Sequence, residues 1–87
     1  MNLLSDNDFH ALRKAMLRGE EISLVRTLGD VIVSAKTCCV TAPWTVAMVL
    51  QVRMAKGQYS WTQNFENVEE AKRRLDIWDK RFHWLLA

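Results

Sequence analysis

The most regular hydrophobic pattern in the chain lies near its carboxyl end. Apolar residues recur there at alternating steps of three and four, the spacing of one buried face of an α-helix. Asn67 is a favourable N-cap, and Glu70 follows three residues later, as in a capping box. The pattern predicts a helix over residues 67–86. Its predicted buried stripe consists of Val68, Ala71, Leu75, Trp78, Phe82 and Leu85.

A similar pattern near the amino terminus predicts a helix over residues 6–18. Ser5 and Asp8 have the spacing of a capping box, and Leu4 and Phe9 are placed to form a hydrophobic staple across it. The glycine that follows is a common helix terminator.

The middle of the chain is ambiguous between helix and strand. Residues 21–40 keep the three-and-four spacing across Gly29, whereas a competing interpretation ends a helix at Gly29 and forms a strand over residues 31–41. The β-branched residues there do not alternate cleanly with polar ones, which favours the helix. Residues 43–56 are apolar nearly all round, which predicts a helix at the centre of the core with Pro43 in its first turn.

These patterns predict an all-α fold in a single domain over residues 1–87. The expected architecture is a bundle of about four helices, at approximately 6–18, 21–40, 43–56 and 67–86, with an aromatic connection at 57–66.

Composition adds an expectation of self-association. Hydrophobic residues make up 49% of the 87 positions, more apolar material than a lone domain of this size easily hides, so we expect a homodimer. The net charge of +2 is too small to indicate nucleic acid by itself. Residues 31–52 carry one charge, Lys36, but their serine, threonine and proline argue against a membrane span. The first residues do not resemble a secretory signal, so the expected compartment is cytoplasmic.

No pattern of nucleophile, base or metal ligand points to catalysis. His10 and His83 lie near opposite ends of the chain, and Cys38 and Cys39 are adjacent, which suits neither an unstrained disulfide nor a zinc site. We therefore expect no enzyme activity, no catalytic residue, no metal and no cofactor.

The back of the carboxyl-terminal helix is the first candidate binding surface. Ile77 and Trp84, seven residues apart, share a helix face opposite the buried stripe, and Arg73, Lys80 and Arg81 flank them. An apolar pair with cations around it suits an acidic protein partner or a second copy of the chain. The alternative is that Trp84 folds over a neighbouring helix.

The aromatic connection is the second candidate surface. Tyr59, Trp61 and Phe65 could cover the core, contact a protein or stack on single-stranded nucleic acid. Nucleic acid is disfavoured because no cation lies between the rings. The sequence therefore favours a small non-enzymatic protein–protein interaction module, such as an adaptor, inhibitor or regulatory subunit. The alternative is a nucleic-acid-binding transcriptional regulator that uses the basic face of the carboxyl-terminal helix.

Overall fold

The computed structural model describes residues 3–39 and 44–82 of the chain. In these ranges, the predicted all-α helical bundle is wrong, because four strands form an antiparallel sheet in which each strand pairs with the next one along the chain. The elements are α1 (Asp6–Arg18), β1 (Ser23–Leu28), β2 (Val31–Cys38), β3 (Thr45–Met54), β4 (Gly57–Phe65) and α2 (Val68–Arg81).

Both helices pack against one face of the sheet. α1 contacts β2, α2 contacts β3 and β4, and the two helices contact each other. The hydrophobic core lies between these two layers. Its buried members are Leu4, Phe9, Leu12, Val31, Val33, Ala35, Val46, Met48, Leu50, Val52, Phe65, Val68, Ala71, Leu75, Trp78 and Phe82.

The middle of the chain forms strands where two helices were expected. Within the predicted helix over 21–40, residues 23–38 instead form the β1–β2 hairpin, which turns at Gly29 with a φ of 59°, a conformation that glycine adopts without strain. The strand alternative for residues 31–41 was correct for β2, while the segment before Gly29 is a strand as well.

Residues 45–65, predicted as most of a central helix over 43–56 and an aromatic connection over 57–66, form the second hairpin, β3–β4. Pro43, predicted in the first turn of that helix, lies outside the described residues. Every second residue of β3 from Val46 to Val52 is buried against the helices. The opposite face of β3 carries Ala47 and Val49, which are half-buried although no element of the described chain covers that face. Apolar residues therefore occur on both faces of the strand, which conceals the period of two and mimics a helix buried all round.

The two terminal helices agree with the sequence pattern. In α1, Ser5 accepts a hydrogen bond from the amide of Asp8 while the Asp8 carboxylate accepts one from the amide of Ser5, which completes the capping box. In α2, the Asn67 side chain accepts from the amide of Glu70 at 2.9 Å. The predicted stripe of α2 is buried as far as Phe82, and Leu85 lies outside the described residues.

One buried hydroxyl ties the end of α1 to the sheet. Thr37 is 1% exposed and faces the helices from β2. Its Oγ1 donates to the carbonyl of Glu20 at 2.7 Å and accepts from the amide of Ile22 at 2.9 Å. These bonds hold the connection between α1 and β1 against the neighbouring strand, and they satisfy polar groups that would otherwise be costly to bury.

We expect Thr37→Val to lower the free energy of unfolding by roughly 1–3 kcal/mol, because the nearly isosteric side chain leaves the Glu20 carbonyl and the Ile22 amide without their partner. Chemical unfolding followed by circular dichroism measures the change. Thr27→Val, at an exposed position of β1, is the matched control and should change stability by less than about 0.5 kcal/mol. Equal effects of the two substitutions would contradict this role for Thr37.

Asp8 links the start of α1 to β1. Partial burial acts to raise the pKa of Asp8, but hydrogen bonds from the Ser5 amide and the Arg26 guanidinium, together with the charge of Arg26, hold that pKa below its ordinary value of 3.8. The guanidinium lies 2.8 Å from the carboxylate. A lowered pKa means that the folded state favours the ionised carboxylate, so Asp8 stabilises the fold above pH 3.8 and loses this effect as the pH falls through its folded pKa.

We expect Asp8→Asn to lower the free energy of unfolding by about 1 kcal/mol at neutral pH, because it removes the charge that pairs with Arg26 and weakens the charge-assisted hydrogen bond from the Ser5 amide. The difference between variant and wild type should shrink as the pH falls below 3.8. Urea unfolding at neutral and acidic pH measures both. Asp6→Asn, at a more exposed carboxylate in the same turn, is the control. A difference that stays constant with pH would exclude the ionised form as the cause.

Candidate functional site

Among residues 3–39 and 44–82, β4 is an open edge of the sheet. In these ranges it pairs only with β3, in an unbroken register from Val46–Phe65 to Met54–Gly57. Its nine residues include no charged residue and no proline. Charges, prolines, bulges and short length are the usual devices that stop an edge strand from pairing with another chain. β4 has none of these devices, so its outer amides and carbonyls are available to a further strand.

β1, the opposite edge, is protected. It has only six residues, and one of them is Arg26. The guanidinium of Arg26 donates to the carbonyl of Val25 at 3.0 Å and pairs with Asp8 of α1. A charged side chain therefore occupies a backbone acceptor on this strand, and it is fixed there by a helix. The two edges of the same sheet thus differ in their capacity to bind another strand.

A groove of about 340 Å³ lies between the end of β4 and the flank of α2. Only two residues separate β4 from α2, so the helix begins beside the strand that precedes it. The groove combines amide side chains, two guanidinium groups, one carboxylate and apolar surface. Its lining residues are Gln63, Asn64, Phe65, Glu70, Arg73, Arg74 and Ile77.

Two charged residues of α2 are engaged with α1, whereas the two arginines of the groove are not. Glu69 pairs with Arg13, and Lys72 lies 3.4 Å from Asp6, so both are engaged with α1. The hydrogen bond from Arg13 holds the pKa of Glu69 below its ordinary value. Arg73 and Arg74, by contrast, form no ion pair with any residue in the ranges 3–39 and 44–82. The groove therefore carries a small excess of positive charge.

The aromatic residues of β4 share the helix-facing side of the strand and become more exposed towards its start. Phe65 is buried in the core. Trp61 is half-buried, with its ring centroid 5.1 Å from that of Phe82. Tyr59 is 41% exposed and stacks on Trp61 at 6.3 Å. Tyr59 and Trp61 thus extend the core surface out to the open edge.

The structure brings most of the predicted contact residues to this edge. Phe65, Arg73 and Ile77 line the same groove, although they were predicted for two separate surfaces. Ile77 is half exposed, as expected for a residue on the back of α2. Tyr59 and Trp61 lie on the strand beside the groove.

The remaining predicted residues lie elsewhere. Lys80 and Arg81 occupy the last turn of α2 and do not line the groove. Arg81 lies over the ring of Phe82, 5.9 Å from its centroid. Trp84 lies outside the described residues, and so does His83.

Sequence patterns missed the polar half of the groove. The predicted contact residues did not include Gln63, Asn64 or Arg74, although all three line the groove. The signal that could have found them is the alternation of Tyr59, Trp61 and Gln63, which assigns the segment to a strand and places Gln63 on the helix side.

Elsewhere in the described chain, fewer polar and charged side chains come together in one place. No group of three or more metal-ligating side chains comes together in residues 3–39 and 44–82. A second cavity, of about 460 Å³, lies where the end of α1 meets Trp44 and Val68, and the largely exposed Leu17 lines it. This cavity is mostly apolar, and no residue of β4 itself lines it.

Comparison with known proteins identifies no relative: no family model matches the chain, and no curated protein or solved structure is significantly similar to it. In the part of the chain that the structure describes, neither helix has the length and apolar content needed to cross a bilayer.

Two substitutions test whether Phe65 belongs to the core and Ile77 to a binding surface. We expect Phe65→Ala to lower the free energy of unfolding by about 3–5 kcal/mol, because it removes a ring from the core. Ile77→Ser should change it by less than about 0.5 kcal/mol, because the side chain is half exposed in the groove. Urea unfolding measures both. A large loss from Ile77→Ser would mean that Ile77 is part of the core as well.

Proposed function

We propose that this protein is a small non-enzymatic interaction module that binds another protein chain as an added strand along β4. The open, uncharged edge of β4 beside the α2 groove is the observation that carries this proposal. In strand addition, backbone hydrogen bonds supply affinity and neighbouring pockets select the side chains of the partner. β4 offers the first of these elements and the groove offers the second.

The composition of the edge supports a protein partner over nucleic acid. β4 has no lysine or arginine along its length, so it lacks the charges that follow a phosphate backbone. Of the basic residues on α2, Lys72 is engaged by a carboxylate and Arg81 lies over Phe82. Arg73 and Arg74 are confined to the groove, which suits recognition of one or two acidic or aromatic side chains rather than an extended polyanion.

Site-specific photo-crosslinking tests this function. Thr62 and Thr27 are exposed threonines on the two edge strands, β4 and β1, so they form a matched pair. A photoreactive amino acid at position 62 should give discrete protein adducts in the cells that make this protein. The same amino acid at position 27 should give few, because β1 is protected by Arg26. Mass spectrometry of the adducts identifies the crosslinked chain.

Two results would contradict the proposed function. Equal adducts from positions 62 and 27 would mean that β4 has no special capacity for binding. Adducts at position 62 that are removed by nuclease and contain no peptide would favour the nucleic-acid alternative.

A further inference from the structure

We propose that the strand added to β4 is the β4 strand of a second copy of this chain, antiparallel to the first and centred on Trp61. This inference rests on the proposed function and specifies its partner. A two-fold interface requires one surface to be complementary to itself. An uncharged strand is electrostatically compatible with its own copy, because the pairing brings no like charges together.

The side chains on the open face of β4 match under this pairing. With Trp61 on the two-fold axis, Ser60 of one copy lies opposite Thr62 of the other, and Gln58 lies opposite Asn64. Hydroxyl groups therefore face hydroxyl groups, and amides face amides, so each pair can exchange hydrogen bonds. On this face, the sequence of β4 reads as a chemical palindrome about Trp61.

The helix-facing side matches as well. Gly57 of one copy lies opposite Phe65 of the other, so a residue with no side chain faces a large ring. Tyr59 lies opposite Gln63, which lines the groove. The exposed ring of Tyr59 thus approaches the groove of the second copy, where Ile77 offers an apolar surface and Arg73 a cation for the face of the ring.

An acidic segment from a different protein explains fewer of these features. It would use the excess positive charge of the groove, but it gives no reason for the matched residues on the open face or for an exposed tyrosine near the start of the edge strand. The second copy uses β4 along its whole length and both of its faces. It also covers Tyr59 and Trp61, part of the apolar surface that a small domain leaves exposed.

The molecular mass in solution is the first test. We expect wild type to have about twice the 10.1 kDa mass of one chain by light scattering at micromolar concentration. Thr62→Lys should reduce it to the mass of one chain, because it places one lysine in each of the two Ser60–Thr62 pairs and makes the two lysines diagonal neighbours across the axis. Thr27→Lys, the matched change on β1, should remain dimeric, and circular dichroism checks that both variants are folded. Tyr59→Ala should raise the dissociation constant roughly tenfold.

Disulfide trapping tests the register of the two β4 strands without relying on the lysine substitutions. Directly opposed strand residues have Cα atoms about 4.5–5.5 Å apart, within disulfide range, whereas diagonal neighbours are too far apart at about 7–8 Å. A mixture of the Ser60→Cys and Thr62→Cys variants should therefore form a disulfide-linked dimer under mild oxidation faster than either variant alone. Wild type, treated identically, controls for Cys38 and Cys39.

The possible outcomes separate this inference from the proposed function. Monomeric wild type whose position 62 crosslinks to a different protein would overturn the second copy as the partner and leave the interaction function intact. Monomeric wild type without any position-specific adduct would overturn both. A dimer that Thr62→Lys does not affect and that gives no preferential disulfide in the mixture would overturn β4 as the contact.

Discussion

The packing of two helices against one face of the sheet is the contact on which the rest of this structure depends. The stripe of α2 from Val68 to Trp78 covers β3 and β4, and the buried face of α1 covers β2. Apolar burial of this kind is the main source of stability in a small domain. It also fixes the position of α2 relative to β4, and the groove exists only because the flank of that helix lies beside the edge strand.

The helices cover only one face of the sheet. On the other face and at the two edge strands, the exposed residues themselves determine whether further chains can bind. The uncovered face mixes serine, threonine and amide side chains with half-buried aliphatic ones. At β1, the short strand and Arg26 limit further pairing. At β4, aromatic residues continue from the core to the edge without an intervening charge. The same sheet therefore combines a closed boundary with an open one.

Sequence patterns were sufficient for the helices and insufficient for the sheet. Local signals such as the Ser5–Asp8 capping box and the Asn67 cap correctly marked where α1 and α2 begin, because capping depends on neighbouring residues alone. The strands depend on pairing with distant residues. Ile32 and Val49 on the uncovered face filled positions that would be polar in a simple alternating strand, and the result resembled a helical repeat. The predicted helix continued across Gly29, whose positive φ instead places it in the turn of the hairpin.

The candidate site was only partly accessible from the sequence for the same reason. Ile77 and Arg73 could be identified because they share a helix face by simple periodicity. Their proximity to Phe65 and Gln63 depends on how α2 packs over β4, which periodicity within one element does not encode. The aromatic segment was predicted as a connection with a contact surface, but only the sheet shows that it is an edge strand with one unpaired side.

The difference between β1 and β4 in their capacity to pair also bears on how many chains could assemble through this sheet. A protein with two receptive edges adds subunits at either end and forms fibrils, as cross-β assemblies do. In this fold the guanidinium of Arg26, held by Asp8, obstructs one end of the sheet. In the proposed dimer, β4 of each copy is occupied and β1 is obstructed, so the dimer would offer no strand edge at which polymerisation could continue.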